Sequence, residues 1–67
     1  MKINLNNTIE SIPEENITVA DLIRIKNFTF KLLVTKVNGT LVRKDDRDKV
    51  IIKDGDDVVI LHLISGG

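Results

Sequence analysis

Apolar and polar residues alternate at the start of this chain. Ile3 and Leu5 fall on one side of residues 2–5, with Lys2 and Asn4 on the other, which is the period of a half-buried strand. Asn6-Asn7 suits a two-residue turn because asparagine tolerates positive φ, and residues 8–12 read as the returning strand. Residues 13–16 are a loop. The period then lengthens. Thr18 and Asp21 form the pattern of a capping box, with Asp in place of the usual Glu or Gln. Val19, Leu22 and Ile23 follow at helical spacing, and the helix is expected to end near Ile25 or Lys26. Residues 27–31 form a connection, and Phe28 or Phe30 is expected to plug the bottom of the core.

The second half is sheet. Residues 32–37 read as a strand, Asn38-Gly39 is the strongest hairpin signal in the chain, and residues 40–43 are the short partner. Residues 44–49 are a charged surface stretch, and residues 50–52 are apolar but short. Lys53-Asp54-Gly55-Asp56 reads as a tight turn in which Gly55 supplies positive φ. Residues 58–64 complete the order ββαβββ. This last strand is apolar on both faces, as a central, covered strand is. One helix cannot cover both sides of a sheet. Either long neighbouring side chains lie on the second face, or that face meets a partner. Val58 and Ile60 are expected to point at the helix. Val59, Leu61 and Leu63 then form the other face, either a docking patch or ordinary packing on the back of the sheet.

Composition narrows the chemistry. The 67 residues suffice for one domain near the lower limit of a self-sufficient core, and the 42% apolar content is almost all aliphatic. Ten basic and ten acidic residues cancel, so no electrostatic footprint for nucleic acid or an anionic membrane is visible. Absence of cysteine removes disulfides, thiolate catalysis and Cys-based metal sites. The first residues turn polar too soon for a signal peptide, and no apolar run has the length of a membrane span. A soluble, cytoplasmic domain is the expectation. His62 is the single histidine, read as a partner contact or a structural position rather than a general base. The aspartates at 45, 46, 48, 54, 56 and 57 do not match a calcium loop and read as a solvated face and a tight turn. Lys31, Lys36, Arg43, Lys44, Arg47 and Lys49 form a loose basic set that discourages strand pairing at the edges, and some of them could meet an acidic patch on a partner.

The chain ends in Ser65-Gly66-Gly67. Glycine is unfavourable in a strand and permissive elsewhere, so these residues are expected to form a thin, flexible tail, 65–67. Such a tail is either a frayed end or a device for threading a carboxylate into a narrow site. A carboxylate must be activated before it reacts, commonly by ATP. The chain has no glycine-rich phosphate loop and no thiol, so it reads as the substrate of a separate adenylating enzyme.

The whole pattern resembles a ubiquitin-like β-grasp domain of the ThiS/MoaD-type sulfur-carrier family. The resemblance rests on the helix start Thr18-Val19-Ala20-Asp21-Leu22-Ile23, the turn Val37-Asn38-Gly39-Thr40-Leu41-Val42, the turn at residues 53–56 and the Gly-Gly ending. Ser65 stands where a further small residue is common. The resemblance implies an α+β fold, a mixed sheet packed on one helix, with the first and last strands parallel neighbours. It implies adenylation at Gly67 by an E1-like enzyme, sulfur delivery from a persulfide protein, and a C-terminal thiocarboxylate that donates sulfur to the thiazole synthase of thiamine biosynthesis. It implies no permanently bound cofactor, with ATP used by the partner enzyme. Three alternatives stay open. They are the small subunit of molybdopterin synthase, a ubiquitin-like modifier forming isopeptide bonds through Gly67, and an inert interaction module.

Overall fold

A computed structural model describes residues 1–29 and 32–63. Two hairpins frame it. β1 (Lys2–Leu5) and β2 (Thr8–Ser11) pair antiparallel through Asn6 (φ 51) and Asn7 (φ 66). β4 (Leu33–Val37) and β5 (Thr40–Val42) pair through Asn38 (φ 52) and Gly39 (φ 82). Positive φ at both central residues gives these tight turns the twist of the flanking strands. Between the hairpins, β3 (Ile17–Thr18) leads directly into α1 (Val19–Ile25). A 3₁₀ turn (Lys44–Asp46), β6 (Ile51–Ile52) and β7 (Asp57–His62) follow.

β7 lies in the middle of a five-stranded sheet of order β2-β1-β7-β4-β5. It runs parallel to β1 and antiparallel to β4. The fold is thus the expected α+β β-grasp, including the parallel pairing of first and last strands. Strand ends differ from the sequence reading by one or two residues. The larger difference is a second, two-stranded sheet in which β3 pairs with β6. Sequence reading leaves Ile17 out of any strand and Ile51-Ile52 unassigned. Two-residue strands carry no readable period, and tertiary packing decides this pair: Ile17 and Ile52 face each other and both are buried.

The core lies between the sheet and α1. Ile3, Leu5, Ile12, Ile17, Val19, Leu22, Val42, Ile52, Val58 and Ile60 form it. Phe28 is partly buried and packs against this cluster, as expected of one of the two aromatic residues, whereas Phe30 lies outside the described residues. Thr35 is the one fully buried polar residue among those described, and its hydroxyl donates to the Val42 carbonyl at 2.6 Å. The stretch 44–49 is not wholly a solvated face. Arg47 turns inward, its Nε donating to Thr35 Oγ1 at 3.2 Å and its guanidinium donating to the Leu33 carbonyl at 2.6 Å. β5 ends at Val42, so the next outward carbonyl of β4 loses its strand partner. Arg47 replaces it, as a buried acceptor requires.

The helix start is the expected capping box. Thr18 Oγ1 accepts from the Asp21 amide at 3.0 Å, and the Asp21 carboxylate accepts from the Thr18 amide at 3.1 Å. The Thr18 amide, followed by the Thr18 hydroxyl, holds the Asp21 carboxyl below its usual value of 3.8, and the Arg24 guanidinium adds to this. A carboxyl depressed in the folded state stabilises it fully above the unfolded value and ceases to do so as pH falls through the folded value. Thr18→Ala is expected to cost about 1 kcal/mol at neutral pH, a fall of roughly 4–8 °C in melting temperature for a domain this small. The deficit relative to the parent narrows in acid below pH 3.8 as Asp21 protonates, and melting curves across that range check it.

Candidate functional site

The expected site has two parts, a strand that carries the chain out of the sheet and the face beside it. Ile64, Ser65, Gly66 and Gly67 lie outside the described residues, so the tail enters through what delivers it. That element is β7, and its two edges are held differently. On the β1 side the ladder pairs Asn4 with Asp57 and Leu5 with Val58, and then β1 turns away. The Asn6 side chain continues the ladder. Its Oδ1 accepts from the Ile60 amide at 2.9 Å and its Nδ2 donates to the Ile60 carbonyl at 3.0 Å. A carboxamide offers the same donor and acceptor as a peptide unit, so Asn6 acts as one more strand residue. On the β4 side pairing runs from Val58 opposite Val37 to His62 opposite Leu33, and the Leu63 amide donates to the Leu32 carbonyl at 3.0 Å. β7 is therefore anchored almost to its exit. Asn6 is a residue that sequence reading assigns only to a turn. The clamp joins positions 54 apart in sequence, and no local pattern could reveal it.

β7 divides its side chains as expected. Val58 and Ile60 are buried against the helix side, at 0% and 3% exposure. On the opposite side Val59 is half-buried, Leu61 is 52% exposed, and Leu63 beyond the strand is 50% exposed. Two aliphatic residues that sequence reading left unassigned to any site enlarge this patch. Val34 lies directly across from Leu61, and Leu41 lies across β4 from Val59 with 55% exposure. The Asn38-Gly39 turn sets the β4–β5 register, so Leu41 was readable from the hairpin. The β4–β7 register was not.

An open groove of about 460 Å³ borders the patch, with Leu32, Val34 and Leu41 among its apolar walls and Arg43, Lys44 and Arg47 on its basic side. His62 is exposed at the end of β7, opposite Leu33. Among the described residues, no group of three or more His, Asp or Glu is placed to hold a metal ion. No described helix is long and apolar enough to cross a membrane.

The described part of the site is thus a central strand, β7, with an exposed aliphatic face on the side away from the helix. The ThiS family model matches residues 3–67, nearly the whole chain and all of the tail. This chain belongs to the ThiS family. Membership supports a role as a sulfur carrier. The fold is that of a crystal structure of the thiamine biosynthesis protein ThiS from Geobacter metallireducens, with a TM-score of 0.88 at 23% identity and both chains covered completely. A solution structure of a thiamine biosynthesis protein from the same organism matches with a TM-score of 0.83 at 23% identity, over all of this chain and 88% of that one.

The two faces of β7 respond differently to charge. Ile60→Asp places a carboxylate in the dry core and is expected to cost on the order of 3 kcal/mol or more, enough to unfold a small domain. Leu61→Asp, on the open face, is expected to cost about 1 kcal/mol or less. Urea titrations of the two variants test the assignment. Equal destabilisation would place Leu61 in the core.

Proposed function

We propose that this protein carries sulfur as a thiocarboxylate at the Gly67 carbon and donates it to thiazole formation in thiamine biosynthesis. The observation that carries this reading is the family match over residues 3–67, which runs through the Gly-Gly ending. The thiamine-biosynthesis role of the similar Geobacter proteins supports the choice of pathway. In this reading the chain is substrate and carrier, and an E1-like enzyme is the catalyst.

The chemistry follows from the carboxylate. A Gly67 oxygen attacks the α-phosphorus of ATP, pyrophosphate leaves, and the carbonyl becomes a mixed anhydride. The outer sulfur of a protein persulfide attacks that carbonyl and AMP departs. A thiol then cleaves the resulting sulfur–sulfur bond, leaving sulfur on the glycine carbonyl and a disulfide on the donor side. The thiocarboxylate is a soft nucleophile at neutral pH and attacks an electrophile held by the synthase. This chain contributes reach and thinness. Gly66 and Gly67 carry no Cβ to collide with the walls of a narrow channel. Val59, Leu61 and Leu63 provide the face that docks the adenylating enzyme and the synthase. The molybdopterin-synthase alternative expects a helical insertion between the middle strands, whereas only Asn38 and Gly39 separate β4 from β5.

Incubation with ATP, the cognate adenylating enzyme and a persulfide source is expected to raise the intact mass by the exchange of one oxygen for sulfur. A variant with one residue added after Gly67 hides the carboxylate in a peptide bond. Gly66→Val adds a branched side chain where the tail passes. Both are expected to melt with the parent, since both changes lie beyond β7. The extended variant should lose ATP–pyrophosphate exchange entirely, and Gly66→Val should lose most of it. Full thiocarboxylation of the extended variant without prior trimming would end the carrier reading.

A further inference from the structure

Directly opposite residues on antiparallel strands project from the same face. The registers therefore set out the open face in rows. One row runs Val59–Lys36–Leu41 across β7, β4 and β5. The next, nearer the exit of the chain, runs from Leu61 to Val34. It continues to Arg43, which follows buried Val42 in extended conformation and lines the same groove as Val34 and Leu41. Each row holds two aliphatic side chains and one cation, and neither holds an acid.

Neither cation is ion-paired among the described residues. Ion pairs among the described residues join Arg24 to Asp21 and Lys26 to Glu10, and Lys36 and Arg43 take part in neither. The aspartates at the start of β7 are already engaged. Asp54 accepts from the Lys2 amide, Asp56 from the Asn38 side chain and the Lys53 amide, and Asp57 from the Asn4 side chain. Asp45, Asp46 and Asp48 do not line the groove. The two rows nearest the exit of the chain thus carry aliphatic and cationic side chains, and the nearest acid on this face of β7, Asp57, lies one row further back beside Asn4. Arg47 is not part of this display, because Thr35 and the Leu33 carbonyl hold it. It caps the Leu33 carbonyl of β4 beyond the end of β5.

We propose that Lys36 and Arg43 determine which protein this face accepts, and that the accepted surface is an aliphatic patch of the adenylating enzyme flanked by two carboxylates. This rests on the docking role given above to Val59, Leu61 and Leu63. Cations at the margin of an apolar contact act chiefly on encounter. They speed association with an acidic surface, slow it with a basic one, and lose influence as salt screens them. Leu61, at the centre, governs dissociation.

Binding of the full-length chain to its cognate adenylating enzyme, measured by stopped flow at low and high ionic strength, tests this. The doubly reversed variant Lys36→Glu/Arg43→Glu is expected to associate about tenfold more slowly at low salt and to lose the parent's salt dependence. Lys36→Gln/Arg43→Gln should lie between the two. All three side chains are exposed, and melting curves close to the parent's establish that each variant is folded. Unchanged association and salt dependence in both charge variants, with binding lost in Leu61→Asp, would overturn the inference and leave the docking face standing. Normal binding by Leu61→Asp as well would remove the docking face and the inference together.

Discussion

The pairing of β7 along both edges is the constraint on which everything else depends. One neighbour, β1, comes from the opposite end of the chain. The other, β4, belongs to the preceding hairpin. The β1 contact spans only two residue pairs, with flanking bonds from the Asn4 amide to the Asp56 carbonyl and from the Asn6 amide to the Val58 carbonyl, each 2.9 Å. Closing a loop of some fifty residues for so short a ladder is entropically costly. Burial of Ile3, Leu5, Val58 and Ile60 offsets that cost, because the same closure brings all four against α1. Parallel pairing and core formation are one event here.

That closure also creates the unequal faces of the sheet. α1 is seven residues long, and Val19 and Leu22 are its buried positions. A helix of two turns covers roughly one side of three strands. The other side keeps its aliphatic residues in water, although β7 needs them for strand propensity as much as for contact. The cost of this exposure is tolerable in a chain of this size only because the helix side is dry and its buried polar groups are satisfied. Thr35 and Arg47 illustrate the second condition. Arg47 supplies the donor that β5, ending at Val42, does not extend to give the Leu33 carbonyl.

Charge is arranged by the same geometry. The acids of residues 54–57 spend their oxygens on backbone amides and asparagine side chains around the turn before β7. These bonds tie the β1 hairpin, the β4–β5 turn and the start of β7 together. Lys36 of β4 and Arg43 after β5 take no part in these bonds and are exposed, whereas Arg47 is held by Thr35 and Leu33. Overall neutrality conceals this separation, which concerns encounter with partners rather than folding.

Much of this protein is written in short stretches of its chain. Both two-residue turns, the capping box at Thr18, the turn at Gly55 and the two-sided apolar last strand follow from local chemistry, because each depends on residues within a few positions of one another. The division of β7 into Val58 and Ile60 against Val59 and Leu61 also follows, since strand periodicity requires it. The Gly-Gly ending is legible as a motif, and it lies outside the described residues. Tertiary structure alone decided the rest. The β3–β6 pair exists because Ile17 and Ile52 are buried together, not because two residues prefer a strand. Asn6 clamps Ile60, and Arg47 caps Leu33, across 54 and 14 positions. Val34 joins Leu61 only through the β4–β7 register. Periodicity tells which side of a strand a residue occupies. Only the packed sheet tells which residue of another strand lies beside it.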